Sequence, residues 1–183
     1  MNSYSIYAKF YDAVEGNHNE KITFLSGLIS EFNSKADSML EIACGTGIIL
    51  SGFSNKFSLV EGLDISSEMI EVAKKKLPNT KIYKKDMRNF NLNKKFDVVL
   101  CIYDSLNHLT DINDWDKTFE SVNKHLNDGG LFIFDLNTEF RLLVIEDLSP
   151  YIIEFDKNYM IMEVNRETEE IYTNNLKIFE KNE

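Results

Sequence analysis

Glu41-Ile42-Ala43-Cys44-Gly45-Thr46-Gly47, residues 41–47, closes one apolar run and opens another. The run that it closes, Ser38–Ala43, has the length of a buried strand, and the run that follows, through about Lys56, reads as a helix. The Gly-x-Gly between them lets the backbone turn sharply and lets a ligand approach closely. Taken alone, that turn fits any tight strand-to-helix junction, so the reading has to come from its surroundings.

Downstream, strand and helix signals alternate. Leu59–Asp64 reads as a second strand, followed by a helix capped by Ser66 or Ser67 that ends near Leu77-Pro78. Lys81–Lys85 is a third strand and Phe96–Tyr103 a strongly apolar fourth. A helix over about Trp115–Leu126 stops at Asp128-Gly129-Gly130, and Leu131–Leu136 is a fifth strand. Buried strands alternating with helices specify a parallel sheet covered on both faces, with its ligand crevice at the carboxyl ends of the strands. Upstream, residues 4–14 are rich in tyrosine and read as helical, and Glu20–Phe32 reads as a helix with Ile22, Leu25, Leu28, Ile29 and Phe32 on one face. After Pro150 the pattern changes to an antiparallel meander: Ile152–Phe155, Tyr159–Val164 and Ile171–Phe179, joined by charged turns.

Composition narrows the function classes. The chain has 183 residues, 43% of them hydrophobic, which suits one domain with an appendage. No apolar run approaches the ~18 residues of a membrane span, and the first residues carry no basic and apolar leader, so the expectation is a cytoplasmic protein with no membrane partner. The two cysteines, Cys44 and Cys101, sit in apolar strand-like stretches and read as buried reduced thiols, neither a disulfide nor a metal site. A net charge of −10 argues against a nucleic-acid partner. Lys74-Lys75-Lys76 reads as the solvated end of a helix.

Three acidic residues fall at the carboxyl ends of strands: Glu41 in the first, Asp64 at the end of the second and Asp86 following the third. Asp64 lies 19 residues after Gly45, where a carboxylate accepts both hydroxyls of a ribose, and Asp86 stands where an acceptor meets an adenine amino group. Each alone could be a solvated loop carboxylate; together they point to one nucleoside crevice. A dinucleotide is disfavoured, because the third glycine of its fingerprint is Leu50 here and Glu41 would repel a pyrophosphate. S-adenosylmethionine (SAM) carries a sulfonium and an ammonium instead, which carboxylates favour.

Leu40 to Gly47, Gly62-Leu63-Asp64-Ile65-Ser66, Lys85-Asp86-Met87, Phe96 to Cys101 and Leu126 to Leu131 together resemble the class I SAM-dependent methyltransferases, over roughly residues 38–137. The stretches Tyr7-Ala8-Lys9-Phe10-Tyr11-Asp12 and Tyr103-Asp104-Ser105-Leu106-Asn107-His108-Leu109 look like a narrower branch of small-molecule enzymes that includes aminosugar N,N-dimethyltransferases. The resemblance implies SAM as cofactor, S-adenosylhomocysteine as product and no metal. It implies that Glu41 and the backbone around Ala43, Gly45 and Gly47 hold the methionine portion, and that Asp64 binds the ribose. Ile65 and Met69 would lie against the adenine, Asp86 and the Met87 amide would read its edge, and Cys101 would line the site beneath the sulfonium. Tyr11 and Tyr4 would close over the cofactor, with Tyr11 also catalytic, whereas Tyr7 reads as packing.

Methyl transfer needs alignment, and a protonated amine or hydroxyl acceptor also needs a base; His108, just beyond the fourth strand, is the candidate, with a structural histidine the alternative. His18 and His125 read as a loop and a helix-end residue. Enzymes that methylate amino groups of bases commonly carry [D/N]-P-P-[Y/F] after the fourth strand, and Ile102-Tyr103-Asp104-Ser105-Leu106 does not match it, so the expected acceptor is a small molecule with an N- or O-nucleophile. The expected organisation is a Rossmann-like SAM-binding domain over 1–149, with a helical cap over about 1–35, and an antiparallel lid or insertion over 150–183. The family's final helix and hairpin have no counterpart by residue 183, which leaves the fifth strand as an edge that the meander or a homodimer would cover. Two other readings stay open: a SAM-binding module without catalysis, and a nicotinamide oxidoreductase.

Overall fold

The computed structural model describes residues 4–181, with side chains from residue 6 onward. The described residues divide into two compact units, one formed by residues 4–9 and 17–136 and the other by 10–16 and 137–181.

In the first unit, β1 (Ser38–Ile42), β2 (Leu59–Asp64), β3 (Lys81–Lys84), β4 (Phe96–Cys101) and β5 (Leu126–Phe134) form one parallel sheet in the order β3-β2-β1-β4-β5. The alternation of side chains along each strand builds two cores. Met39, Val98 and Leu100 face one way, against Leu25 and Ile29 of α3 (Asn19–Phe32), Ile49, Leu50 and Phe53 of α4 (Ile48–Phe53), and Ile70 and Ala73 of α5 (Ser67–Lys76). Leu40, Ile42, Val99 and Cys101 face the other way, with Val122 and Trp115 of α6 (Ile112–Lys124). This is the doubly wound, Rossmann-like α/β arrangement read from the sequence, and among the described residues no helix is long and apolar enough to cross a membrane.

Asp97 pins the amino ends of the central strands. Its Oδ2 accepts the Asp37 and Ser38 amides, both at 3.0 Å, and the Ser38 hydroxyl at 2.7 Å, while Oδ1 accepts Asn127 at 2.8 Å. Burial raises the Asp97 carboxyl, but these donors outweigh it and hold it below the ordinary range.

Several local expectations are corrected. The tyrosine-rich opening is two short helices, α1 (Tyr4–Tyr7) and α2 (Tyr11–Glu15), and they belong to different units. Phe32 does not join the buried face of α3; it is 65% exposed. Helix α6 ends at Lys124, and Leu126 already pairs with Phe96. The register then jumps, Val98 pairing with Leu131, so Asn127–Gly130 is a bulge inside β5 rather than a helix stop. His125 caps the end of α6 as read, and it does more. It is buried, its Nδ1–H donates to the Ser121 carbonyl at 2.7 Å, and its Nε2 accepts the Leu92 amide at 3.0 Å.

The second unit contains α2, a helix α7 (Glu139–Asp147), and the antiparallel sheet β6 (Tyr151–Phe155), β7 (Asn158–Arg166) and β8 (Tyr172–Phe179) in that order. The meander matches the sequence pattern, whereas α7 was not foreseen. Its start is marked by Thr138, whose side chain accepts the Arg141 amide at 3.3 Å. Asp156 and Lys157 both have positive φ (43° and 69°), as a two-residue hairpin turn between β6 and β7 requires.

Candidate functional site

The carboxyl ends of β1 and β2 meet in one hydrogen-bonded corner. Glu41 pairs in register with Gly62 of β2 and Leu100 of β4, on the face that α4 covers. Its carboxylate is buried at 3% exposure and accepts the backbone amide of Leu50, one of the first-turn donors of α4 that has no partner within the helix. The other oxygen, Oε2, is buried with no hydrogen-bond partner. Burial and the nearby Asp64 charge both push the Glu41 carboxyl well above the ordinary range.

The chain leaves β1 through an unusual turn. Ala43, Gly45 and Gly47 all take left-handed backbone, with φ of 52°, 53° and 73°. At Gly47 a Cβ would press on Leu77 and Ala73 at 3.1 and 3.4 Å, whereas at Gly45 it would meet only open space. The first two positions therefore differ in kind: Ala43 bears a Cβ in a conformation suited to glycine, and Gly45 presents bare backbone to whatever lies outside.

Asp64 closes this turn. Its Oδ2 accepts the Gly45 amide at 2.7 Å and its Oδ1 the Ser66 amide at 2.8 Å, leaving acceptor capacity on both oxygens. Burial raises its carboxyl above the ordinary value, and the Ser66, Gly45 and Ile65 amides counter that rise. The Lys85 amide donates to the Asp64 carbonyl at 2.9 Å, which carries the chain from β3 directly to Asp86 beside the same corner. Both Asp86 oxygens are engaged by Arg88, a residue the sequence reading passed over.

The other expected residues divide clearly. Ile65 is 62% exposed at the rim, while Met69 is buried and offers a ligand little surface. Met87 packs against the second core. The side chain of Cys101 is fully buried in that core, and its thiol is raised by burial, then by Glu41 and Asp135. His108 is exposed in a 3-10 turn (Ser105–His108) after β4. Tyr11 lies in the second unit, Tyr7 is buried, and the side chain of Tyr4 lies outside the described residues.

The turn after β4 adds a feature absent from the sequence reading. Tyr103 and Asp104 both have positive φ, 64° and 45°, a costly pair for residues with a Cβ. The Asp104 amide donates to Asp135 at 2.7 Å, and Lys21 pairs with the other Asp135 oxygen at 3.1 Å while lying 3.9 Å from the Tyr103 ring centre. His18 hydrogen-bonds the Tyr103 hydroxyl, so it is more than a loop residue.

The parallel sheet with its glycine turn and strand-end carboxylates defines a Rossmann-like fold class, and comparison with known proteins narrows it. Residues 39–130, half of the chain, match the family model of the methyltransferase domain, and the chain belongs to that family. It is 30% identical over 132 residues to a dTDP-3-amino-3,6-dideoxy-α-D-glucopyranose N,N-dimethyltransferase of Streptomyces fradiae, an alignment covering 70% of this chain and 52% of that protein. The chain thus spans about half the length of the curated relatives it matches. Among solved structures it resembles a SAM-dependent methyltransferase from Clostridium acetobutylicum, with TM-score 0.80 and 27% identity over 97% of this chain and 80% of that one. The fold also resembles that of a SAM-bound amino pentose methyltransferase from Micromonospora echinaspora, with TM-score 0.78 and 19% identity over 95% of this chain and 81% of that one.

Proposed function

We propose that this chain binds SAM at the Glu41–Asp64 corner and transfers its methyl group to the amine of a small acceptor of the amino-sugar kind. The observation that carries the reading is Glu41: a buried carboxylate with one oxygen left without a partner. Such an oxygen is costly unless something meets it, and the ammonium of SAM is a matching donor. In this reading the backbone of residues 43–47 holds the methionine portion beside Glu41. The remaining acceptor sites of Asp64 take the ribose hydroxyls, Ile65 covers the base, and Asp86 with the Met87 amide meets its edge.

When bound, SAM supplies an electrophilic methyl group on a cationic sulfur. The chain's task is then to align the acceptor nitrogen with that methyl and to remove a proton. His108 is the proposed base, taking the proton that the amine releases as its new C–N bond forms. The names of the relatives, amino-sugar N,N-dimethyltransferases, support an amine of that class. We also propose that a second copy covers β5, the sheet edge, where Phe134 and the neighbouring Phe119 are exposed; light scattering coupled to gel filtration tests for the dimer.

The deciding experiment is calorimetric titration with S-adenosylhomocysteine and with NAD, followed by transfer of labelled methyl from SAM to the amino sugar named for the S. fradiae relative. Saturable binding of the first compound only, with transfer, is expected. Binding of NAD alone replaces this reading with the oxidoreductase, and binding without transfer to any amine reduces it to a SAM-binding module.

A further inference from the structure

Arg88 stands two residues beyond Asp86 and joins two acids. Its Nε lies 3.0 Å from each Asp86 oxygen and its Nη2 2.6 Å from Oδ2, while its own amide donates to Oδ1 at 2.9 Å. Nη1 reaches Asp114 Oδ2, in the first turn of α6, at 2.7 Å, and Lys117 holds the other Asp114 oxygen at 2.6 Å. The backbone of the same segment is fastened as well. The Ser121 hydroxyl donates to the Arg88 carbonyl at 3.1 Å, and Phe90, two residues on, is buried against the His125 ring with centroids 4.3 Å apart. This clamp is long-range and planar, which suits arginine and not lysine.

Its chemical consequence lies in what Asp86 can still do. An ionised carboxylate offers about four acceptor sites and no donor. Three donors, the Arg88 amide, Nε and Nη2, make four contacts with the two oxygens, the Nε–H being shared between them, so the fork fixes the plane of the carboxylate and the direction in which its remaining acceptor capacity points. Hydrogen bonding by Arg88 also holds the Asp86 carboxyl below its ordinary range, so the group stays an acceptor at neutral pH. A 6-amino purine brings an N–H to such a group, whereas a 6-oxo purine brings a second acceptor and leaves lone pairs opposed. Released from Arg88, the same carboxylate stays ionised but turns freely about its side-chain bonds, so it no longer holds an acceptor in one place for either base.

We infer that Arg88 is a positioning residue that makes the Asp86 end of β3 selective for a 6-amino over a 6-oxo purine nucleoside. The inference rests on the proposed function, in which the nucleoside of SAM lies at the ends of β2 and β3.

The test is titration of the full chain with S-adenosylhomocysteine and with its 6-oxo counterpart, S-inosylhomocysteine, in the wild type, Arg88→Met, Arg88→Lys and Asp114→Asn, with thermal melting to confirm folding. The wild type should prefer the adenine compound by at least about tenfold, the scale of one charged hydrogen bond. Arg88→Met should bring that ratio close to one, mainly by weakening the adenine compound. Arg88→Lys and Asp114→Asn should each retain part of it, because the former keeps the charge without the fork and the latter loosens only the far side. A clamp that merely supports the fold would weaken both compounds equally and leave the ratio untouched, which overturns the inference. A wild type that binds S-adenosylhomocysteine without discriminating overturns the inference alone, and a wild type that binds neither compound overturns the cofactor reading with it.

Discussion

The two ends of the parallel sheet treat their carboxylates in opposite ways. At the amino end, Asp97 gathers two backbone amides, a hydroxyl and an asparagine amide, and its carboxyl is held below the ordinary range. At the carboxyl end, Glu41 and Asp64 are buried close enough to repel each other, are met by backbone amides, and are both raised, Glu41 with an oxygen to spare. A satisfied acid stabilises the fold; an acid under-supplied with donors weakens the fold and waits for a donor from outside. On the proposed function the contrast divides stability from binding between the two ends, and it can be broken residue by residue.

The largest effect is expected at Asp64. Replacing it with alanine should weaken S-adenosylhomocysteine by about 100-fold or more, two charged hydrogen bonds' worth, as read by calorimetry. An unchanged affinity would move the nucleoside away from the β2 end. Asp97→Ala should do the reverse, costing about 2 kcal/mol in denaturant unfolding while leaving that affinity within about twofold, because it strands several donors far from the corner.

Glu41→Gln should separate the two roles within one residue. It should weaken the ligand yet stabilise the free protein by about 1 kcal/mol at pH 8, since it removes a buried charge of nearly unchanged shape. The pH dependence has a definite sign. Because the folded carboxyl is raised, the stability Glu41 contributes is fully present below its unfolded value, about 4.3, and is lost as pH rises through the folded value. The advantage of the glutamine variant should therefore shrink as pH falls, and an advantage that is constant from pH 8 to pH 5 would show that charge is not its origin. The smallest effect is Ala43→Gly. Relief of the left-handed backbone exceeds the added chain entropy only slightly, so a gain of about 0.5 kcal/mol in melting experiments is expected.

The sheet was legible in the sequence because short apolar runs, strongest in β4, alternate with helix-length segments, and Leu59–Asp64 has the ends that were read for it. The same reading placed Gly45, Gly47, Glu41 and Asp64 at one corner, since all lie at or just beyond strand ends. What escaped it depends on partners distant along the chain. Arg88 is a routine loop cation until α6 brings Asp114 to it, and Asp97 looks like any strand-edge acid until Ser38 and Asn127 arrive. His125 and the Tyr103–Asp104 turn belong to the same kind, because hydrogen bonds and backbone strain leave no periodicity. Helix α7 was hidden for another reason. Its four consecutive apolar residues, Leu142 to Ile145, blur the helical period, although Thr138 followed by Glu139 is a legible start.

The two thiols take on a further meaning beside the proposed cofactor. Cys44 belongs to the turn itself and Cys101 ends β4, and both thiols are pushed toward the protonated form, first by burial and then by the charge of Glu41. Thiolate, not thiol, attacks an electrophilic carbon. On the proposed function a methylating agent would lie near these thiols, and burial together with Glu41 would guard the protein against alkylating itself: the acid proposed to welcome the cofactor's positive charge also disfavours a negative one on the neighbouring sulfurs.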